Sequence, residues 1–164
     1  MDIRTVSEFK TKIYELKEAI TKKTGITSPD ILVQEMIEGQ AEIFIGANRE
    51  GDSKIYEKDG EGFGHLLAVG QGGIYTEVYK DIEHVLLPTN REAIIEALDR
   101  TKISKIIDGY RGKPKLPKEK LLDMLEAIQR MLISYPQIVS LDINPVILTE
   151  DRVVAVDVKV YLKN

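Results

Sequence analysis

The C-terminal end of the chain contains two strand-like segments, Ile138–Leu148 and Val153–Leu162, joined by a tight turn. Alternation along the first segment places Asp142 and Asn144 on one face, with apolar neighbours on the other. The position of the turn places Asn144 nearly opposite Asp157 of the second segment. A carboxylate beside an amide oxygen suits a hard cation such as Mg²⁺ that also holds phosphate. The same residues also fit solvent-facing polar positions on a half-exposed sheet.

A glycine-rich segment, Val69–Glu77 (VGQGGIYTE), directly follows an apolar strand-like stretch. Backbone amide groups freed by glycines can cradle a phosphate. However, Gly70 and Gly72 lack the third glycine of a dinucleotide-binding motif, and the sequence contains no P-loop motif. A tight turn between two strands explains the same glycines equally well.

A third polar segment, Val33–Met36 (VQEM), precedes Glu42. A strand leaving a sheet here would let Gln34 and Glu35 present backbone donors and acceptors to the edge of a base. Glu42 would then reach ribose hydroxyls. The alternative is an ordinary edge strand with polar residues.

Other reactive residue types are few. His65 and His84 allow a phosphohistidine or a general base, but we favour packed or surface histidines because neither has a nucleophile or carboxylate partner at suggestive spacing. The turn at 109–112 (GYRG) offers one guanidinium for a phosphate or a partner. The absence of cysteine excludes disulfides, cysteine-based metal sites and thiol nucleophiles.

Composition and charge define the general class of protein. At 164 residues, with 43% apolar and 30% charged residues, the chain predicts one globular domain. The net charge of −4 argues against a general nucleic-acid-binding protein, which would show a basic face. The sequence has no membrane-length apolar run and no signal-peptide core at its start, so we expect a cytoplasmic protein with no nucleic-acid or membrane partner.

The elements that must position these residues follow from periodicity. Residues Thr5–Thr24 predict an amphipathic helix that stops at Gly25. The polar stretch Arg49–Gly62 predicts an exposed hairpin or flap, in which Lys54–Glu57 is a weak strand candidate. The other strands predicted in this β-rich part are Ile31–Ile37, Glu42–Asn48, His65–Val69, Tyr75–Tyr79 and His84–Leu87.

Helices follow the β-rich part of the chain. Thr89 and Glu92 have the spacing of a capping box, which opens a helix to about Arg100. A short helix is predicted near 103–108, and a longer amphipathic helix ends at Pro136. Because helices and hairpins are segregated without βαβ alternation, we predict an α+β fold, an antiparallel sheet with helices on one side.

Taken together and in order, these pieces match the motifs of one family. The matching segments are 32–36 (LVQEM), Ile45-Gly46 with Arg49, 72–81 (GGIYTEVYKD), 109–112 (GYRG), 141–145 (LDINP) and Val156-Asp157. The chain resembles the ATP-grasp (β) subunit of ADP-forming acetyl-CoA synthetase, a relative of succinyl-CoA synthetase. The resemblance covers nearly the whole chain from about Asp30 onward and implies the C-terminal lobe of an ATP-grasp fold.

The resemblance implies an acid–thiol ligase that converts acyl-CoA, ADP and phosphate into free acid, CoA and ATP. Its cofactors would be ATP or ADP and Mg²⁺. Phosphoryl would pass to and from a phosphohistidine loop of a CoA-binding (α) subunit. Asn144 and Asp157 would be the Mg²⁺ ligands, with Asp142 as a third ligand or facing the incoming phosphohistidine.

The nucleotide contacts implied by the resemblance come from earlier segments. The Gln34 carbonyl and the Ile37 amide would read the adenine edge, and Glu42 would hold the ribose. The phosphoryl-transfer cleft would be lined by Gly72, Gly73 and Glu77. Arg49 would contact a phosphate of the nucleotide.

The chain departs from the family pattern in three respects. The sequence lacks the family's upstream lobe, which carries a phosphate-binding lysine and a His-Lys-Ser-Asp segment. Val85 stands where an arginine is usual in the family. The segment Gly51–Gly62 resembles an insertion. We expect one domain at 1–164, made of a helix at 1–25, a β-rich part at 30–88 with a flap near 50–62, a helical part at 89–136 and a metal-binding hairpin at 137–164.

Because an ATP-grasp site lies between two lobes and this sequence resembles one of them, the resemblance implies partner chains. We expect a hetero-oligomer that is inactive without the missing N-terminal lobe, supplied by a separate chain, and the CoA-binding subunit. The alternative is a truncated, non-catalytic ATP-grasp module for regulation or subunit docking. A carboxylate–amine ligase is a third candidate, against which the segments 141–145 and 72–81 argue.

Overall fold

The computed structural model describes residues 3–51 and 54–163. The chain divides into two compact units, Met1–Ile37 and Glu38–Asn164. Across the described ranges, no helix combines the length and the apolar character needed to cross a membrane.

The first unit contains helix α1 (Val6–Thr24). The Thr5 hydroxyl accepts a hydrogen bond from the Glu8 amide at 3.2 Å, and the Glu8 carboxylate accepts one from the Thr5 amide at 3.0 Å. Gly25 ends the helix at φ +77°, where its N–H donates to the Thr21 carbonyl. The predicted helix is confirmed because a capping box and a terminal glycine are local signals.

The strand predicted at Ile31–Ile37 is wrong. These residues have no regular secondary structure, and Leu32, Val33 and Met36 are exposed. A strand forms when a neighbouring strand takes up its backbone hydrogen bonds, and no strand is present among the described residues of the first unit. Apolar, β-prone composition alone therefore misled the prediction.

The second unit is built on one antiparallel sheet of six strands. The strands are β1 (Ala41–Gly51), β2 (Gly62–Gln71), β3 (Ile82–Leu87), β4 (Ile138–Leu148), β5 (Val153–Ala155) and β6 (Val158–Leu162). Their order is β3-β2-β1-β4-β5, and β6 also pairs with β4. The central pair, β1 and β4, brings the early and late parts of the sequence together.

One face of the sheet is buried because apolar residues alternate along its strands. Ile43 and Ile45 of β1 and Leu67 and Val69 of β2 are fully buried. The helices that share this hydrophobic core are α3 (Arg91–Arg100), α4 (Ser104–Ile107) and α5 (Lys118–Ser134). The predicted α+β fold, an antiparallel sheet with helices, is confirmed.

The strand predicted at Tyr75–Tyr79 is wrong, since Tyr75 lies in a turn and the four residues after it form the short helix α2 (Thr76–Tyr79). Gly73 adopts φ +84° and turns the chain away from β2. The backbone N–H and the hydroxyl of Thr76 then both donate to the Gly73 carbonyl, at 3.3 and 2.6 Å. The turn at a single glycine outweighs the β propensity of the aromatic residues that follow.

Three local predictions also need correction. Residues Lys54–Glu57 form a turn at the tip of the β1–β2 hairpin rather than a strand. Helix α3 is capped by Asn90, whose side chain accepts from the Ala93 amide at 3.0 Å, and not by Thr89. The last predicted strand is split into β5 and β6, because Pro145 on the facing strand has no N–H to donate.

Candidate functional site

The loop after β2 lies against the start of β1. The Gly72 N–H donates to the Glu42 carbonyl at 2.8 Å. A side chain at Gly72 would overlap the backbone of Ile43, and one at Gly73 would overlap the carboxylate of Glu42. Gly72 is therefore required for this close approach, whereas at Gly73 the flexible Glu42 side chain would have to move. The structure brings three predicted site residues, Glu42, Gly72 and Gly73, together.

The same loop contacts β4 through Asn144. The Gly73 N–H donates to Asn144 Oδ1 at 2.8 Å, which fixes the orientation of the amide side chain. Asn144 is partly buried on the sheet face opposite the core residues Leu141 and Ile143. A residue late in the chain is thus joined to the glycine segment that sequence analysis treated as a separate motif.

Asp157 lies beside Asn144, as the position of the turn predicted. The Asn144 N–H donates to the Asp157 carbonyl at 3.1 Å, which places the two residues on paired positions of adjacent chain segments. The Asp157 carboxylate is exposed and lies 3.4 Å from the Lys159 ammonium group. An exposed pair of this kind contributes little to stability, so the carboxylate remains available to a cation.

The donor set suits Mg²⁺ held jointly with phosphate. Within the described ranges no group of three or more His, Cys, Asp or Glu side chains could hold a metal ion. Mg²⁺ is usually bound by one or two carboxylates plus substrate phosphates, rather than by a cage of protein ligands. Asn144 Oδ1 accepts one N–H and keeps a second lone pair, and the negatively charged Asp157 occupies the paired position on the adjacent segment.

Two further carboxylates, Asp142 and Glu77, were predicted to be catalytic. Asp142 is exposed, pairs with Gly46 of β1 and Lys159 of β6, and precedes Asn144 by two positions on the same face. Glu77 is exposed on α2, about one helical turn beyond Gly73. Both side chains are accessible to a molecule that approaches the loop.

Arg49 lies elsewhere and has structural partners. Its guanidinium donates to the Pro136 carbonyl at 2.5 Å and to the Gly51 carbonyl at 3.1 Å. It is at the far end of β1 from Glu42, so the structure does not bring it to Asn144. Gln34 and Ile37 belong to the first unit, and their adenine-reading roles stay predictions.

His65 is a packed residue, the interpretation favoured from sequence. It is fully buried, with Nδ1 2.6 Å from the Tyr56 hydroxyl and Nε2 2.9 Å from the Ile138 carbonyl. The Tyr56 hydroxyl also accepts from the His65 N–H at 3.1 Å. Burial lowers the pKa of His65, and the positive charge of Arg49 acts in the same direction. His84, by contrast, is exposed on β3.

Sequence reasoning missed the role of Asp81. This carboxylate is buried and accepts hydrogen bonds from the Lys102 and Ile103 amides at 2.7 and 2.9 Å. The Asp81 carbonyl also accepts from the Gln71 amide at 2.9 Å. Asp81 therefore fastens the end of the α2 loop to β2 and to the region before α4. Its place in the 72–81 motif was the only available signal.

The fold and these residues define an ATP-grasp domain. The sequence model of that family, described as an ATP-grasp domain, matches residues 1–162. The chain belongs to the ATP-grasp family.

Relatives within the family are ADP-forming CoA ligases. The chain is 27% identical over 132 residues to the β subunit of acetate–CoA ligase (ADP-forming) I of Pyrococcus furiosus, covering 80% of this chain and 53% of the subunit. It is 33% identical over 145 residues to acetate–CoA ligase (ADP-forming) of Methanocaldococcus jannaschii, covering 86% of this chain and 19% of that protein. The chain thus spans about half of that β subunit and about a fifth of the Methanocaldococcus jannaschii ligase.

A solved structure has the same fold. It is the dinucleotide-forming acetyl-coenzyme A synthetase 1 of Ca. Korarchaeum cryptofilum in complex with coenzyme A and Mg-AMPPCP, with a phosphohistidine segment pointing towards the nucleotide-binding site. The TM-score is 0.80 at 24% sequence identity, and the match covers 99% of this chain and 67% of that chain.

Proposed function

We propose that this chain is the nucleotide- and Mg²⁺-binding C-terminal lobe of an ADP-forming acyl-CoA synthetase. It would take part in phosphoryl transfer between ATP or ADP and a phosphohistidine of a partner subunit. The observation that carries the proposal is the hydrogen bond from the Gly73 N–H to Asn144 Oδ1, with Glu42 and Asp157 beside it. Membership of the ATP-grasp family and the names of the relatives support the same reaction class.

Asn144 and Asp157 would hold Mg²⁺, which neutralises phosphate charge when it is bound. The Gly73 N–H keeps the Asn144 amide oriented, so its oxygen does not have to be reordered when a cation binds. Gly72 and Gly73 use their own N–H groups in the fold. Their part in binding is therefore to let the loop pack closely against β1 and to position Asn144 and Glu42, rather than to donate to phosphate.

Glu42 would hold the ribose, since its exposed carboxylate lies against Gly73 at the edge of the same cluster. Asp142 would act as a third Mg²⁺ ligand or face the incoming phosphohistidine. Glu77 would line the transfer cleft from α2. Phosphoryl transfer requires positioning and charge neutralisation more than covalent chemistry, and these exposed carboxylates and amides are suited to that task.

The chain would act as one lobe of a larger assembly. An ATP-grasp site clamps nucleotide between two lobes, so the N-terminal lobe and a CoA-binding subunit would complete the site in a hetero-oligomer. The whole of residues 1–164 would form the C-terminal lobe, with Gln34 and Ile37 reading the adenine edge. On this basis the isolated chain has no ligase activity.

Calorimetric titration with Mg–ADP and Mg–ATP tests the proposal. The chain is titrated alone and after mixing with the N-terminal lobe and the CoA-binding subunit. Binding that appears in the mixture and is lost in Asn144→Ala and Asp157→Asn supports the proposal. Glu96→Gln, which removes an exposed carboxylate from α3, serves as the control and should bind normally. Absence of binding in every mixture would instead favour the non-catalytic docking module.

A further inference from the structure

A lysine side chain, that of Lys159 on β6, lies beside the candidate Mg²⁺ ligands. Its ammonium group is 3.4 Å from the carboxylate of Asp157, two positions earlier in the chain. Lys159 also pairs with Asp142 across β6 and β4, and directly paired residues of adjacent strands share one face of a sheet. Lys159 therefore adjoins both carboxylates on the sheet face opposite the core.

The contact between Lys159 and Asp157 contributes little to the fold. The two side chains are 59% and 56% exposed, and exposed ion pairs are worth little because water screens them. A lysine ammonium group has three donors and sits on a flexible four-carbon stem. Lys159 can therefore exchange the Asp157 carboxylate for another anion with little loss of stability.

The candidate site needs positive charge from the protein as well as from a metal ion. The carboxylates gathered there repel the phosphates of ADP or ATP, because like charges raise the free energy of binding. Arg49, the phosphate contact implied by the resemblance, bonds instead to two backbone carbonyls at the far end of β1. Lys159 already has its ammonium group at the site, next to a proposed metal ligand.

We propose, as an extension of the proposed function, that Lys159 donates to a phosphate oxygen of the nucleotide that Asn144 and Asp157 hold through Mg²⁺. In the structure its ammonium group is paired with Asp157. Coordination of a divalent cation by Asp157 weakens this pairing, because the ion neutralises the carboxylate and repels the ammonium group. Lys159 then turns to the phosphate beside Asp157. It exchanges one anionic partner for another, and no covalent bond changes.

Two titrations of Lys159→Gln, one with nucleotide and one without, test this exchange. In the mixture with the N-terminal lobe, the variant should bind Mg–ADP about tenfold or more weakly than the wild type, as loss of a hydrogen bond to a charged group typically causes. The same mixture without nucleotide is titrated with Mn²⁺ and followed by electron paramagnetic resonance. Mn²⁺ replaces Mg²⁺ as the probe, since both prefer carboxylate and carbonyl oxygens. The variant should bind Mn²⁺ at least as tightly as the wild type, because a competing cation has been removed.

Two further variants serve as controls. Lys159→Arg keeps the charge and should retain most of the Mg–ADP affinity. Lys163→Gln makes the same change at an exposed lysine four positions beyond Lys159, roughly 13 Å away along an extended chain. It should bind both Mg–ADP and Mn²⁺ like the wild type.

The outcomes separate the two proposals. If the wild-type mixture binds Mg–ADP and Lys159→Gln binds it as tightly or more tightly, the phosphate contact is wrong and the proposed function stands. An equal loss of Mg–ADP affinity in Lys163→Gln would reflect net charge alone and also overturn the contact. Weaker binding of both Mn²⁺ and Mg–ADP by Lys159→Gln would assign the lysine to support of the metal ligands rather than to phosphate. If the wild-type mixture binds no nucleotide, the proposed function fails, and the assignment of Lys159 fails with it.

Discussion

Replacing Gly73 with alanine tests whether the loop after β2 sets the geometry of the candidate site. The Gly73 N–H orients the Asn144 side chain, and the space in front of its Cα is filled by the Glu42 carboxylate. An added methyl group overlaps that carboxylate, whose exposed end must rotate away. Gly73→Ala therefore displaces the carboxylate of Glu42, the proposed ribose contact. It also disturbs the N–H group that orients Asn144, a proposed Mg²⁺ ligand.

The magnitude can be separated into a backbone part and a site part. Gly73 and Gly112 have φ +84° and +80°, a region in which alanine costs about 1–2 kcal/mol. Nothing lies within 4 Å of a methyl group at Gly112, so Gly112→Ala measures the backbone cost alone. Because the Glu42 side chain is flexible, we expect the two variants to differ by no more than about 1 kcal/mol in the free energy of unfolding.

Nucleotide binding should distinguish these two variants. In the mixture with the N-terminal lobe, Gly73→Ala should weaken Mg–ADP by about tenfold, equivalent to about 1.4 kcal/mol, and Gly112→Ala should leave it unchanged. Urea denaturation gives the stabilities and calorimetric titration gives the affinities. Equal Mg–ADP affinity of Gly73→Ala and Gly112→Ala, at comparable stability, would refute the assignment of the glycine loop to the site.

Three further perturbations test the buried polar groups. Tyr56→Phe removes the hydroxyl donor from Nδ1 of buried His65, and urea denaturation near about pH 8 should show a loss of about 1–3 kcal/mol. Because burial lowers the pKa of His65 from 6.5, the unfolded chain takes up its proton first, so stability should fall as pH drops from 6.5 towards the lower folded pKa. His65→Gln should remove this loss of stability at low pH, and His84→Gln should preserve it. The same dependence of unfolding free energy on pH in both variants would contradict the assignment to His65. Asp81→Asn should cost about 1–3 kcal/mol because one of the two N–H groups that donate to the buried carboxylate loses its acceptor. Exposed Asp59→Asn should cost almost nothing.

Elements with local signals were predictable from the sequence. Helix α1 has its capping box and terminal glycine at its two ends, and β4 alternates between apolar and polar residues at 141–144. The pairing of Asn144 with Asp157 was predictable for the same reason, because a tight turn fixes the register of a hairpin. These features depend on neighbours in sequence, not on distant packing.

The missed features depend on contacts between distant parts of the chain. The Asp81 carboxylate bonds to backbone groups more than twenty positions later, and no local pattern indicates that partner. The bond from the Gly73 N–H to Asn144 spans 71 positions. The motifs could be identified in the sequence, but their proximity in space results from the pairing of β1 with both β2 and β4.

The strand pairing also shows that the end of the β1–β2 hairpin at Gly51 and Gly62, where the sequence resembles an insertion, lies away from the candidate site. Ile43 pairs with Gln71 at the site end of the β1–β2 ladder, and Arg49 pairs with His65 at the other end. Six residues of strand, roughly 20 Å at about 3.4 Å per residue, separate the two pairs. At that end the Tyr56 hydroxyl contacts buried His65, and His65 and Arg49 bond to the carbonyls of Ile138 and Pro136 at or just before the start of β4. Asn144 lies further along that strand. The predicted insertion therefore lies at the opposite end of the β1–β2 ladder from Glu42 and Gly73, and it is not an argument against nucleotide binding.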